Sequence, residues 1–226
     1  MILRIRSIVA LLLVGSCAAT SGLAQDTKKT KEWKKLFDGK TLAGWTNGSG
    51  KAPGKGWSVV DGAIHCGNKG GDIFTEADYY NFELKFEWKV AKGSNSGLKY
   101  RHADYSGKMV GCEYQVLDDD NHSNGKNPKQ TAGSLYDVLP PDAKAKQLKK
   151  VGEWNTSRIV AKDAKVEHWL NGKKVLVIDM ESAEWAKALA KSKFRDAPTF
   201  GQKDGRIMLQ DHGDPVWFRR IEIMEL

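Results

Sequence analysis

Phe82-Glu83-Leu84-Lys85-Phe86-Glu87-Trp88 alternates apolar and charged side chains without a break. Side chains of a strand point to opposite faces in turn, so Phe82, Leu84, Phe86 and Trp88 share one face and Glu83, Lys85 and Glu87 the other. One dry face and one wet face is the pattern of an antiparallel sheet packed on a core. Working outward, the same period recurs. Trp57-Ser58-Val59-Val60 enters an Asp61-Gly62 turn, and Ala63-Ile64-His65-Cys66 returns from it. Arg158–Ala161 and Val166–Leu170 predict two further strands, and Asn171-Gly172 turns the chain into Lys174–Ile178. Arg206–Gln210 and Trp217–Ile223 close the series. One segment departs from it. Ser182–Lys191 offers a Ser N-cap, several alanines, and Trp185, Ala188 and Leu189 at helical spacing, which predicts a short surface helix. Many short strands without βαβ alternation indicate an all-β fold, a two-sheet antiparallel sandwich or jelly roll with one helix near 182–191.

At 226 residues the chain accommodates one large β domain. Its first residues have the proportions of a targeting segment. Arg4 and Arg6 precede the apolar run Ile8–Val14, which is too short to span a bilayer. Two cleavage readings compete. Gly22-Leu23-Ala24 suits an ordinary signal peptidase, giving a signal peptide over 1–24, whereas Val14-Gly15-Ser16-Cys17 resembles a lipobox that would leave a lipidated Cys17 as membrane tether. Both imply export, to the periplasm or the cell envelope. A polar linker over 25–32 then leads into a single domain over 33–226. Within that domain only Cys66 and Cys112 remain, both at core-facing strand positions and without metal-ligand spacing. Buried thiols are expected rather than a disulfide. The net charge of +8 comes from lysines scattered through loops, with no nucleic-acid-binding motif beside them.

The candidate chemistry lies between Gly97 and Gln115. In Gly97-Leu98-Lys99-Tyr100-Arg101, Leu98 and Tyr100 face one way, and Lys99 and Arg101 the other. In Cys112-Glu113-Tyr114-Gln115-Val116, Glu113 and Gln115 face away from the core. If the two strands share a sheet, an ammonium, a guanidinium, a carboxylate and an amide line one surface, a polar dressing suited to a sugar. Glu113 is then a candidate base or acid. Beyond the apolar strand Ile207–Leu209, Gln210 and His212 share the face of Met208. His168 shares the side of Val166 and Leu170 and reads as a core histidine. It is retained with Asp118 among the substrate-binding candidates. Asp118-Asp119-Asp120-Asn121 lacks the Gly and Glu of a calcium loop and reads as a solvated acidic turn. His65, His102 and His122 show no metal-ligand spacing. No nucleophile elbow, P-loop or dinucleotide fingerprint is present.

These pieces, with Leu36-Phe37-Asp38-Gly39-Lys40-Thr41-Leu42, Asn95-Ser96-Gly97-Leu98, Glu113-Tyr114-Gln115-Val116-Leu117-Asp118, Gly133-Ser134-Leu135-Tyr136, His168-Trp169-Leu170-Asn171-Gly172 and Leu209-Gln210-Asp211-His212-Gly213, resemble the 3-keto-disaccharide hydrolase domain family. The resemblance runs through nearly the whole mature chain. It implies a concanavalin-A-like jelly roll and an exported enzyme that breaks glycosidic bonds in small sugars oxidised to a ketone at C3. A C3 ketone acidifies the C2 hydrogen, so elimination followed by hydration replaces the paired carboxylates of ordinary glycosidases. On this reading Glu113 or His212 is the base, Lys99 or Arg101 stabilises the enolate, and Gln115 and Gln210 hold hydroxyls. No organic cofactor is called for. A divalent cation is an alternative to the cationic side chains. The alternative function is a non-catalytic, lectin-like sugar-binding module, because one fold hosts both.

Overall fold

A computed structural model describes residues 31–226. The leader, with both cleavage readings and Cys17, and most of the linker lie outside the described residues. The strands are β1 (Lys34–Lys35), β2 (Trp45–Asn47), β3 (Trp57–Val60), β4 (Ala63–Cys66), β5 (Ile73–Tyr79), β6 (Phe82–Val90), β7 (Asn95–Tyr105) and β8 (Lys108–Leu117). They continue as β9 (Asn155–Lys162), β10 (Lys165–Leu170), β11 (Lys173–Asp179), β12 (Gly205–Leu209) and β13 (Val216–Glu225), with one α-helix among the described residues, α1 (Ala183–Ala190). Among the described residues no helix is long and apolar enough to cross a membrane.

The strands form two antiparallel sheets, which is the sandwich read from the sequence. The larger sheet runs β11-β10-β9-β6-β13-β4-β3, with β1 also on β13. The smaller runs β2-β5-β12-β7-β8. Alternation decides what lies between them. Phe82, Leu84, Phe86 and Trp88 are buried from β6, and Leu98, Tyr100, Cys112, Tyr114 and Val116 from the smaller sheet. A hydrogen-bonded chain crosses this core: Trp88 Nε1 donates to Ser157 Oγ (2.9 Å), which donates to the Tyr114 hydroxyl (2.8 Å), which donates to the Trp169 carbonyl (3.1 Å). Buried polar groups are affordable only when paired in this way.

Asp61-Gly62 and Asn171-Gly172 take positive φ (49° and 73°, 48° and 79°), the mirror-type turns whose twist suits a hairpin. Ser182 caps α1, its hydroxyl accepting from Trp185 N at 3.0 Å, and the helix buries Trp185 and Leu189. Cys66 and Cys112 are free, buried thiols, as expected.

β7 breaks the alternation. Its pairing with β8 shifts between Tyr100 and Ala103, and Arg101 takes φ 50°. This bulge puts one extra residue on the inner side, so every side chain beyond it changes face.

Candidate functional site

The registers of β7, β8 and β12 build the site. Met208 lies opposite Lys99, and Lys99 opposite Glu113. In the next row Gln210 N donates to Gly97 O (2.9 Å), and Gly97 lies opposite Gln115. Lys99, Glu113, Gln115 and Gln210 thus occupy adjacent positions on the face of the smaller sheet turned away from the core. Gly97 is the floor beneath them. A Cβ there would meet Glu113 Oε1 at 2.7 Å, so only glycine leaves the carboxylate its position.

Two segments distant in sequence wall this face. Residues 133–136 run along β8: Gly133 N donates to Gln115 O, Gln115 N to Ser134 O, and Tyr136 N to Glu113 O. Lys193, just beyond α1, reaches over the Tyr136 ring with its Nζ 4.2 Å from the centroid. Between the segment after α1 and β8 lies a cavity of about 200 Å³ lined by Lys99, Glu113, Lys193, Phe194, Asp196 and the Lys108–Gly111 end of β8. A larger cavity, about 480 Å³, opens on the outer face of the other sheet, but its Glu87 is already tied to Arg219 and Arg220. The smaller one holds the more deeply buried carboxylate, Glu113, 4% exposed against 12% for Glu87.

Glu113 is 4% exposed. Burial raises its carboxyl pKa, and Lys99 and Lys193 pull it back without cancelling the rise. Lys99 Nζ stands 3.6 Å from Glu113 Oε2. Burial lowers the Lys193 ammonium pKa against the opposing pull of Glu113. A carboxylate inclined to take a proton faces an ammonium inclined to give one, the pairing that acid–base chemistry near neutrality needs. Around them the side-chain oxygens of Gln115, Gln210 and Ser134 are buried without a partner in the protein, although Gln115 Nε2 donates to Asn95 Oδ1. Buried acceptors of this kind take their donor from ordered water or from a bound ligand. Among the described residues no three His, Cys, Asp or Glu side chains are grouped as a metal site would require.

Residues 32–224 match the family described as the 3-keto-alpha-glucoside-1,2-lyase-like domain. The chain belongs to that family. A protein of Bacteroides thetaiotaomicron named 3-keto-disaccharide hydrolase is 35% identical over 84% of this chain and 77% of its own length. Two crystal structures from Parabacteroides distasonis, both named as candidate glycosyl hydrolases, share the fold. One is 35% identical, with a TM-score of 0.76 over 86% of this chain and 94% of its own. The other is 30% identical, with a TM-score of 0.69 over 87% of this chain and all of its own.

In this lyase-like domain the bulge in β7 corrects the expectation for Arg101. Arg101 turns inward and is fully buried. Its Nε and Nη2 donate to Tyr80 O, Nη1 to Gly201 O and Nη2 also to Asp163 O (2.8–3.0 Å). The guanidinium ties three loops together and has no fork left for a sugar. His102 takes its place on the outward face, 5.2 Å from the Phe74 ring and with Nδ1 buried and unpartnered. Burial, then Lys99 and Arg206, push its pKa down to about 4. Neither His102 nor Lys193 carried a signal in the sequence. The first depends on the bulge and the second on a segment brought in by α1.

The remaining candidates lie elsewhere. His168 is the core histidine its position suggested, buried between the sheets, accepting from the Tyr100 hydroxyl (2.9 Å) and donating to Gly133 O (3.0 Å). Asp118 is buried rather than solvated, and its carboxylate accepts from Gly93 N, Asp120 N, Asn121 N and the Asn121 amide. It shapes a turn. His212 is exposed in the loop after β12, where the strand has ended at Leu209 and alternation no longer governs direction. Its neighbour Asp211 binds backbone N–H groups of Gly70, Gly71 and Gly213 and holds that loop in shape.

Proposed function

We propose that this chain, after export, cleaves the glycosidic bond of sugars bearing a ketone at C3, by elimination and then hydration. Membership of the family makes it a glycoside hydrolase-type enzyme. The observation that carries the finer reading is that Glu113, the buried carboxylate of the cavity, shares it with two ammonium groups, Lys99 and Lys193, while the cavity's other carboxylate, Asp196, is exposed and paired with Lys108. An ordinary glycosidase needs two carboxylates flanking the bond. Elimination needs one base, one cation and one proton donor.

In this mechanism Glu113 removes the C2 hydrogen, and the electron pair passes into the C3 carbonyl as an enolate whose oxygen faces Lys99. The enolate re-forms the ketone, the C1–O bond breaks, and a C1=C2 double bond conjugated to the ketone remains. Lys193 protonates the departing oxygen. Water then adds, hydroxyl to C1 and hydrogen to C2, giving the free 3-keto sugar. Gln115 and Gln210 accept from ring hydroxyls. The name of the B. thetaiotaomicron relative and the family description both fit this substrate and bond. The export reading rests on the leader, which carries both the soluble and the lipidated alternatives.

The test is to incubate the mature protein with 3-keto-trehalose and 3-keto-glucosides in D2O, with and without chelator. Release of the C1 substituent with deuterium at C2 of the product is the expected result. Release without deuterium sinks elimination, and intact substrate across the panel leaves a sugar-binding module. Loss of turnover under chelator transfers the enolate-stabilising role from Lys99 to a divalent cation.

A further inference from the structure

Glu113 divides the outward face of β8 into two halves of opposite chemistry. Toward the C-terminal end lies Gln115, with Gln210 and Ser134 beside it, and the side-chain oxygens of all three are buried without a protein partner. Toward the N-terminal end, alternation places Gly111 and Met109 on the same face as Glu113. Gly111 follows from the bulge in β7. A Cβ there would press on His102 Cα, His102 Cβ and Tyr100 O at 3.0 Å, so the bulge that buries Arg101 also favours a residue without a side chain here. The outward face of β8 is therefore bare between Glu113 and Met109, a distance of about 13 Å at the usual rise per residue.

The cavity of about 200 Å³ runs along this bare stretch. It has room for about seven waters, or for one six-membered ring. Its far end is lined by Met109, Val110, Phe194 and Ala197, none of which carries a nitrogen or oxygen in its side chain. Met109 is 57% exposed, a long apolar side chain left at the mouth. The facing wall is tied down. Lys193 N donates to Asp137 Oδ2 at 2.8 Å, Ala197 N donates to Phe194 O at 2.9 Å, and the Phe194 ring stacks on Phe200 with centroids 4.1 Å apart. The charges lining that end, Lys108 and Asp196, pair with each other at 3.2 Å.

We infer that this end seats the leaving group, and that the chain prefers 3-keto-glycosides of an apolar, aromatic alcohol over those whose leaving group is a second sugar. The inference rests on the proposed reaction for the placing of the sugar, with C2 at Glu113 and the hydroxyls toward Gln115 and Gln210. The C1 oxygen then faces Lys193, and the group it carries continues along β8 toward Met109. An aromatic ring gains there by burying apolar surface against Met109, Phe194 and Ala197, with a sulfur–aromatic contact included. A second pyranose would bring hydroxyls into the same space, where no side chain is free to replace the water they give up. An anionic leaving group meets no unpaired cation at that end, because Lys108 is already matched by Asp196.

The experiment is titration calorimetry on the mature chain carrying Glu113→Gln, so that leaving-group acidity plays no part. Benzyl 3-keto-α-glucoside is compared with 3-keto-trehalose, and benzyl 3-keto-β-glucoside with cellobiose oxidised at C3 of its non-reducing ring. In at least one pair the benzyl glycoside is expected to bind about tenfold tighter or more, and its ring to shift the Met109 methyl resonance. Met109→Ser, at an exposed position neutral to folding, is expected to remove most of that preference. Equal or tighter binding of the disaccharide in both pairs overturns the inference, as does no binding of any of the four. A preference that survives both Met109→Ser and Phe194→Leu overturns it too. Tighter binding of a 4-carboxybenzyl than of the benzyl glycoside overturns it in favour of an anionic leaving group. Should the parent cleave none of these sugars, the proposed reaction falls, and the binding comparison still decides the subsite.

Discussion

Lys99 and Glu113 oppose each other directly across β7 and β8, with Nζ 3.6 Å from Oε2 and Glu113 almost wholly buried. The carboxylate loses its hydration, and one ammonium at that distance does not restore it. Glu113→Gln keeps the shape and removes the base. It is expected to lower kcat by about 10²- to 10⁴-fold while substrate binding persists. The sign for stability follows from the raised pKa. The unfolded carboxyl ionises first, so folding loses free energy as pH rises above the ordinary value of 4.5. The glutamine variant should therefore be at least as stable as the parent at pH 7. A melting temperature well below the parent's would make Glu113 structural.

Gly97→Ala tests the floor beneath that carboxylate. The backbone of Gly97 is not left-handed, so alanine is tolerated locally and its only serious clash is with Glu113. Displacing a reacting group by about 1 Å costs on the order of 10²-fold in rate. The expected result is a kcat loss of that order with a native circular dichroism spectrum. In the Glu113→Gln background the same change should cost little more, since the two act through one group.

The pH dependence of kcat/KM should be a bell narrower than ordinary Glu and Lys would give. Its acid limb, the ionisation of Glu113, lies above 4.5, and its alkaline limb, the loss of the Lys193 proton, lies below 10.5. Lys193→Met should abolish the alkaline limb and slow glycosides with alkyl leaving groups far more than those with activated aryl ones. Equal slowing of both classes would remove Lys193 as proton donor.

Arg101→Met separates fold from site. It strands the carbonyls of Tyr80, Gly201 and Asp163, so a loss of order 3 kcal/mol in urea unfolding is expected. KM should stay near that of the parent. A large KM change at full stability would return Arg101 to the site.

His168 gives the core its own pH signature. Its pKa falls from 6.5 to about 4 because the ring is buried, and folding then requires the neutral form. Stability is full above about 6.5 and declines as pH falls toward about 4, with His102 contributing in the same window. The urea midpoint should drop between pH 7 and pH 4.5, and less steeply in His168→Gln. A midpoint that drops as steeply in His168→Gln as in the parent contradicts the assignment.

The sequence by itself determined the local structure. Period-2 alternation placed β6 and β9 to β13, Asp61-Gly62 and Asn171-Gly172 placed the hairpins, and Ser182 opened the helix, because each follows from side-chain direction or backbone preference among near neighbours. It also put Lys99, Glu113, Gln115 and Gln210 on a common face. Only the tertiary structure decided the rest. A bulge at Arg101, made by pairing with β8, exchanged Arg101 and His102 between faces, and a segment after α1 delivered Lys193 to Glu113. Alternation carries no information across a register shift, and no local pattern records which distant loop will lie over a strand.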